Sequence, residues 1–368
     1  MSNLLKDRYS TTFFDSFTEI LKQIITDFDK EKFLQLIYDN NWERRELKDR
    51  MKHISRTLHE FFPAEFAKTV GIIGQIIETL KQQNITGMGL EYMFLPDYIE
   101  TYGIDAYEYS VECMEFVTPF TSCEFAVRPF IIKYGDRMLN QMQRWSLHEN
   151  PHVRRLASEG SRPRLPWAMA LPELKTNPTP VLPILENLKN DSSAYVRKSV
   201  ANNLNDISKD HPELVISIAK KWSGLSKETD DIIKHACRTL LKQGNHTVLK
   251  HFGHSANANI VISQFFIYTP VVGVGQRLEF SFEVLNNDNK NLNVRLEYGV
   301  YYLRNNGQHS KKVFKISERQ LNASQKIEIK RHQSFKPITT RRFYPGKHKL
   351  SIIINGEERD AEMFELVR

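Results

Sequence analysis

The residues best placed to do chemistry cluster between His148 and Trp167, in the run HENPHVRRLASEGSRPRLPW. Asn150 followed by Pro151 predicts a helix start, because an Asn side chain accepts an orphan amide hydrogen bond and proline fits the first turn without losing one. Val153 and Ala157 then fall one turn apart on an apolar face, whereas Arg155, Glu159 and Arg162 recur at i, i+4 and i+7 on a polar face. Gly160 is expected to end the helix. Beyond it, two prolines forbid a long regular helix and stiffen a connector that carries Arg162, Arg164 and the Trp167 indole. Such a segment presents side chains. On spacing alone it is equally a surface helix with an Arg155–Glu159 pair, followed by a turn capped by a core tryptophan.

Two more carboxylates stand out. Thr121 and Glu124 in TPFTSCEFAVRPF fit a Thr-x-x-Glu capping box, which gives Glu124 a structural account. Asp206 lies off the apolar stripe Val196, Val200 and Leu204 and near a helix C-terminus, where a carboxylate opposes the macrodipole. Asp210, Pro212 and Glu213 already supply the start of the next helix, so Asp206 is not needed as its cap. That misfit makes it a functional candidate, with a solvated surface position as the alternative. Other chemistries find no support, since the chain has no GxGxxG, GxxxxGKS/T or GxSxG. His246, His251 and His254 have helical spacing but no evident carboxylate or cysteine partner, and Cys113, Cys123 and Cys237 make no CxxC. Neither a metal nor a cofactor is expected. The glycines Gly71 and Gly74 are read as tight helix packing.

These side chains need a rigid frame, and internal repetition predicts one. Val153-Arg154-Arg155-Leu156-Ala157 returns as Val196-Arg197-Lys198-Ser199-Val200, 43 residues later, and Ile232-Ile233-Lys234-His235-Ala236 follows after 36 more. A period near 40 with such a helix is the sign of HEAT-like repeats, whose helix pairs stack into a solenoid and bury each other's open faces. Upstream segments such as FFDSFTEILKQIITDF and FAKTVGIIGQIIETLKQQ repeat apolar residues every three or four positions, so the first part reads as all helix. The aromatics of 91–117 are read as core. Near residue 258 the texture changes to alternating β-branched and aromatic runs separated by turn residues. About seven short strands in about 110 residues predict a β-sandwich. The expected layout is an all-α HEAT-like domain over 1–256 and a small all-β immunoglobulin-like sandwich over 257–368.

Composition fits this layout. A chain of 368 residues with 40% apolar content can hold two real cores. No window approaches the ~18 apolar residues needed to cross a bilayer, so a cytoplasmic protein without membrane contact is expected. The net charge of +7 is uneven. Residues 1–257 hold 33 basic and 33 acidic side chains, while 258–368 hold 18 against 11. Between Lys311 and Lys349 twelve basic residues face only Glu318 and Glu328, which nominates a basic patch, although such runs are often solvated faces.

The wording ASEGSRPRLPW at 157–167, with TPFTSCEFAVRPF upstream and YVRKSVANNLNDISKDHP downstream, closely resembles the AlkC branch of the HEAT-like DNA alkylation-repair glycosylases. The likeness covers roughly residues 1–255, and some members of that branch carry a C-terminal domain like the one read here. It implies hydrolysis of the N-glycosidic bond of cationic alkylated bases, 3-methyladenine and 3-methylcytosine among them, in double-stranded DNA by a bacterial cytosolic or nucleoid enzyme, a monomer needing no metal. It also implies roles for particular residues. Glu159 and Asp206 would stabilise charge and activate water, Glu124 would support them, and Trp167 would meet the lesion or deoxyribose. DNA contacts are expected from Arg154, Arg155, Arg162, Arg164, Arg197 and Lys198, and from Lys311, Lys312, Arg341 and Arg342 in a sandwich acting as a DNA clamp. The competing reading is a non-catalytic HEAT-repeat adaptor whose basic sandwich binds nucleic acid or an acidic partner.

Overall fold

The computed structural model describes residues 4–86, 89–254, 259–338 and 341–368. The chain forms two compact units, one from 1–210 with 223–236 and the other from 211–222 with 237–368. No helix among the described residues is long and apolar enough to cross a membrane.

The first unit is helical throughout, as the apolar spacing predicts. Phe14, Phe17, Ile20 and Leu21 bury one face of Thr11–Ile24, and Ile73, Ile76, Ile77 and Leu80 bury one face of Phe66–Gln82. Each fully buried side chain of this size contributes roughly 1.5–3 kcal/mol. Tyr92, Phe94, Tyr98 and Tyr107 are core, but Tyr109 and Phe116 are exposed. Two local expectations are corrected. A Cβ on Gly71 would meet nothing within 4 Å, and one on Gly74 only Phe116 at 3.8 Å, so these glycines do not serve tight packing. Thr121 and Glu124 form no capping box, because the next helix starts at Val127 with Ala126 as an N-cap that makes no side-chain bond.

The repeat helices Pro151–Gly160, Ala194–Ile207 and Lys227–Ala236 pack in succession. Asn150 Oδ1 accepts from His152 N at 2.9 Å and Pro151 opens the helix, as its sequence dictates. Close approach is real at Gly160, where a Cβ would come within 2.5 Å of Val127 Cγ1. Across the interface with Ala194–Ile207, Ser158 Oγ donates to Ser199 Oγ at 2.6 Å and Asn203 Nδ2 donates to Ser158 O at 2.8 Å. These small polar residues satisfy one another where larger ones would hold the helices apart.

The second unit contains eight strands: β1 Ile260–Ile267, β2 Val271–Gly273, β3 Arg277–Asn286, β4 Leu292–Leu303, β5 His309–Leu321, β6 Lys326–Ser334, β7 Gly346–Ile354 and β8 Glu357–Val367. They form two sheets, ordered β1-β3-β6 and β2-β8-β7-β4-β5, antiparallel except for the short β2–β8 pair. Phe280, Phe282, Val284, Leu296, Val300, Leu350, Ile352 and Phe364 fill the space between them. The expected boundary between 256 and 257 lies outside the described residues. Helices Pro212–Trp222, Arg238–Lys242 and His246–His251 belong to this unit. Gly244 and Gly356, both at positive φ, explain part of that union. A Cβ on Gly244 would reach Gly356 O at 2.7 Å, so two backbones meet where only glycine fits.

Candidate active site

The polar face of Pro151–Gly160 opens on a cavity of about 420 Å³ whose lining includes Glu124, Arg155, Glu159, Arg162, Trp167 and Tyr195. Helical spacing sets Arg155 and Glu159 one turn apart, Arg155 Nη2 lying 3.5 Å from Glu159 Oε1. The chain leaves the helix at Ser161, which turns the Arg162 guanidinium back, so that Nη1 donates to the same Oε1 at 2.6 Å. Arg155 Nη1 meanwhile pairs with Glu124 Oε2 and donates to Ser122 Oγ at 3.0 Å, and Ser122 Oγ donates to Glu124 Oε2 at 3.0 Å. One guanidinium thus spans both cavity acids. Each acid commits a single oxygen to its partners. Glu124 Oε1 and Glu159 Oε2 accept no hydrogen bond among the described residues.

Asp206 stands behind this pair and does not line the cavity. It is 2% exposed. Its Oδ2 accepts from Arg162 Nε at 2.9 Å and its Oδ1 from Lys209 Nζ at 2.9 Å. Burial opposes the charge of Arg162, yet Glu159 and Asp206 outweigh it and raise the Arg162 pKa. Glu124, Glu159 and Asp206 are therefore matched by Arg155, Arg162 and Lys209. This pairing sets a cation against each acid where close carboxylates would otherwise repel.

Trp167 is 58% exposed, not a core residue, and its φ is +67°. Ala168 N donates to Leu165 O at 3.3 Å, closing a turn with Pro166 at its second position and Trp167 at its third. A positive φ at that third position after proline is the type II pattern, which ordinarily calls for glycine. A bulky residue held there costs about 1–3 kcal/mol, strain that persists only where the surroundings over-determine it. Tyr195, which sequence reading missed, lines the cavity with its ring 4.9 Å from the Arg155 guanidinium, and burial pushes its hydroxyl pKa up. It occupies the same place in its repeat as His152, whose ring it touches at 5.7 Å.

The remaining basic candidates divide by surroundings. Arg154 makes a two-pronged contact with Asp191 and donates to His148 O at 3.0 Å and Glu149 O at 2.7 Å. Arg197 donates to Asp191 O at 2.6 Å and Ser192 O at 2.9 Å. Both thus satisfy the carbonyls six and five residues before them, a bond pattern repeated with the helices. Arg164 pairs with Asp210 at 2.6 Å, and Lys198 is exposed. In the β unit, Lys311 and Lys349 flank Tyr301 and pair with Glu358. Burial works against that carboxylate, but Lys311 and Tyr301 hold it down to about 2. Lys311, Lys312, Lys315 and Arg319 lie on the sheet edge β5, and Lys326, Lys330 and Arg331 on the edge β6. Charge on an edge strand discourages pairing with another chain, which accounts for part of the basic run. Lys312 differs from Lys311. Burial, then Arg341 and Lys242, lower its pKa, so three cations crowd one patch. Arg341 also covers Tyr302 at 4.0 Å, and Arg342 lies 5.4 Å from the Tyr344 ring. No group of three or more His, Cys, Asp or Glu among the described residues could hold a metal ion.

Stacked HEAT-like helices followed by an immunoglobulin-like sandwich define a DNA alkylation repair enzyme fold: residues 98–246 match the DNA alkylation repair enzyme family, and 261–368 match the C-terminal Ig-like domain of the uncharacterised protein YhaZ. The match to YhaZ of Bacillus subtilis (strain 168) is 41% identical over 362 residues, 98% of this chain and 99% of that one. This chain belongs to the AlkC type of that family. It is 35% identical to the Pseudomonas fluorescens alkylpurine DNA glycosylase AlkC, solved bound to DNA containing an abasic site analog, with a TM-score of 0.93 over 100% of both chains.

Proposed function

We propose that this chain is a DNA glycosylase that hydrolyses the N-glycosidic bond of cationic alkylated bases, of the 3-methyladenine and 3-methylcytosine class, in double-stranded DNA. The observation that carries this is the pair Glu124 and Glu159, which face one cavity with an oxygen each free of protein hydrogen bonds. Kinship with an alkylpurine DNA glycosylase solved bound to DNA supports alkylated purines as substrates, and 3-methylcytosine is included because its alkylated ring is likewise a cation. Alkylation at a ring nitrogen makes the base a cation and a good leaving group, so no strong general acid is required. As the bond lengthens, positive charge moves to the deoxyribose, and a carboxylate nearby gains attraction that it lacked in the ground state. At ~4 Å and an effective dielectric near 20 that attraction is of order 4 kcal/mol, an upper figure equal to roughly a thousandfold in rate. Water then adds to C1′, the bonding pair leaves with the base, which departs neutral, and Glu159 takes the proton.

Within this scheme Glu159 is the acid at the reacting centre and Glu124 its support. Asp206 acts through Arg162. The exposed Trp167 indole meets the cationic base or sugar by cation–π attraction. The Arg154 and Arg197 donors serve the repeat frame, leaving Lys198 and Arg164 for phosphates on the helical unit. The patch of Lys242, Lys312 and Arg341, with exposed Arg342, offers phosphate contacts from the β unit, which would act as a clamp. Action as a monomer in the bacterial cytosol or nucleoid completes the proposal. Incubation with methylated duplex DNA, scoring released base and alkali-labile sites, tests it. Absence of release from every methylated duplex, by protein that binds that DNA, favours the adaptor.

A further inference from the structure

Two cations from distant parts of the helical unit grip the 160–169 segment by its backbone. Arg128, fully buried on the helix Val127–Tyr134, donates from Nη1 to Gly160 O at 2.9 Å and to Arg162 O at 2.8 Å, and from Nε to Met169 O at 2.7 Å. No carboxylate lies within salt-bridge distance of it among the described residues. A guanidinium buried without an anion is unfavourable, and burial first, then Arg162, push its pKa down to about 10. Such a group persists where its fork of donors fixes something a neutral side chain could not. Here it ties both ends of the segment that carries Arg162, Arg164 and Trp167. Lys48, on the helix Leu47–His59, grips the middle. Its Nζ donates to Trp167 O at 2.6 Å and lies 5.5 Å from the ring of Phe125, another cavity-lining residue.

We infer that Lys48 and Arg128 are positioning residues, which hold Trp167 in its left-handed conformation with the indole at the cavity and hold Arg162 against Glu159. Neither is among the residues that line the cavity. Strain at Trp167 persists only if its surroundings over-determine it, and the Lys48 ammonium is the contact that fixes the carbonyl of that residue. The functional half of this inference rests on the glycosylase proposal. Its structural half does not.

The test uses the full chain and Lys48→Met, which keeps the length of the side chain and removes its donor, with Lys48→Arg as the conservative rescue. Trp42, Trp145 and Trp222 are 4%, 1% and 2% exposed, so the quencher-accessible tryptophan fluorescence reports Trp167. Trp167→Phe calibrates that signal. Without DNA, Lys48→Met should alter acrylamide quenching and lower the anisotropy of the accessible component while circular dichroism stays unchanged. With methylated duplex, KM should rise about tenfold and kcat fall less, and Lys48→Arg should recover most of both. Arg128→Lys keeps a charge but not the fork. It should lower kcat as well, because Arg162 loses its place beside Glu159. Unchanged quenching, or altered quenching with wild-type kcat and KM, overturns the inference. Should the wild-type protein release no base, the glycosylase proposal falls, while the fluorescence arm still decides whether Lys48 fixes the indole.

Discussion

Glu159 and Asp206 share one guanidinium: Arg162 gives Nη1 to Glu159 at 2.6 Å and Nε to Asp206 at 2.9 Å. The shared cation makes the two acids unequal. Glu159 keeps an oxygen toward the cavity, whereas Asp206 spends both on Arg162 and Lys209. Replacing Asp206 with Asn should therefore destabilise the helical unit by about 3–5 kcal/mol, the range for breaking a buried ion pair from one side. Glu159→Gln should cost less stability and more activity. Denaturant midpoints followed by circular dichroism, beside single-turnover release from the folded fraction, separate the two. Equal stability losses in both variants would contradict the division of roles.

Trp167 offers a trade between stability and activity. Glycine is the residue that its turn position calls for, so Trp167→Gly should relieve strain and leave the fold stable or raise stability by up to about 1 kcal/mol. The same change removes the indole from the cavity. Affinity for methylated DNA should fall by roughly 1–2 kcal/mol, while affinity for undamaged DNA stays put. A competition titration with the two duplexes measures the difference, and an equal loss for both would argue against contact with the lesion.

Glu100 gives the helical unit a pH signature. Burial first, then the neighbouring Asp97, raise its pKa from 4.5 to about 7, against the pull of Lys52 and Lys48. The folded state therefore holds a proton that the unfolded chain has lost. Stability from this group is fully present below the unfolded pKa and is lost as pH rises through about 7. Glu100→Gln should match the wild type near pH ~4.5 and exceed it above pH ~8 by roughly 2–3 kcal/mol. Thermal midpoints across this interval check it. A constant difference at all pH values would remove Glu100 as the cause.

The β unit should contribute phosphate contacts through Lys242, Lys312 and Arg342. Lys311 is a poor choice for mutation, because it neutralises Glu358 and braces Tyr301. Changing Lys242, Lys312 and Arg342 to Gln should weaken binding to all duplexes and reduce the log–log salt slope by about 0.9 for each phosphate no longer neutralised. Single-turnover chemistry at saturating protein should change little. An unaltered salt slope would leave these residues as edge-strand charges with no part in binding.

Much of the frame was legible because it is periodic. The recurrence of Val153-Arg154 as Val196-Arg197 announced stacked helices, and the i, i+4 spacing placed Arg155 and Glu159 on one face, whereas Arg162 lies past the helix end and reaches Glu159 through the turn at Ser161. The change to alternating strands near 258 announced the sandwich, though not β2, whose three residues are too short to alternate visibly. The tertiary part of the site was not legible. Lys48 meets Trp167 across 119 positions and Arg128 reaches Met169 across 41, separations that carry no local pattern. For Glu124 the residues alone offered a capping box that the backbone does not use, and its place among the acids came from the resemblance. Arg154 and Arg197 read as free cations because their partners are mainly backbone carbonyls, which every sequence has and none displays. Tyr195 had a signal in its equivalence to His152 within the repeat, and that signal was visible only once the repeat was aligned by residue.

The most direct measurement is single-turnover release of 3-methyladenine from duplex DNA at saturating protein, wild type against Glu159→Gln. Removing the charge while keeping the shape should slow release by about 100–1000-fold and leave DNA affinity nearly unchanged. Release by Glu159→Gln at close to the wild-type rate would contradict a mechanism in which this carboxylate faces the developing sugar cation.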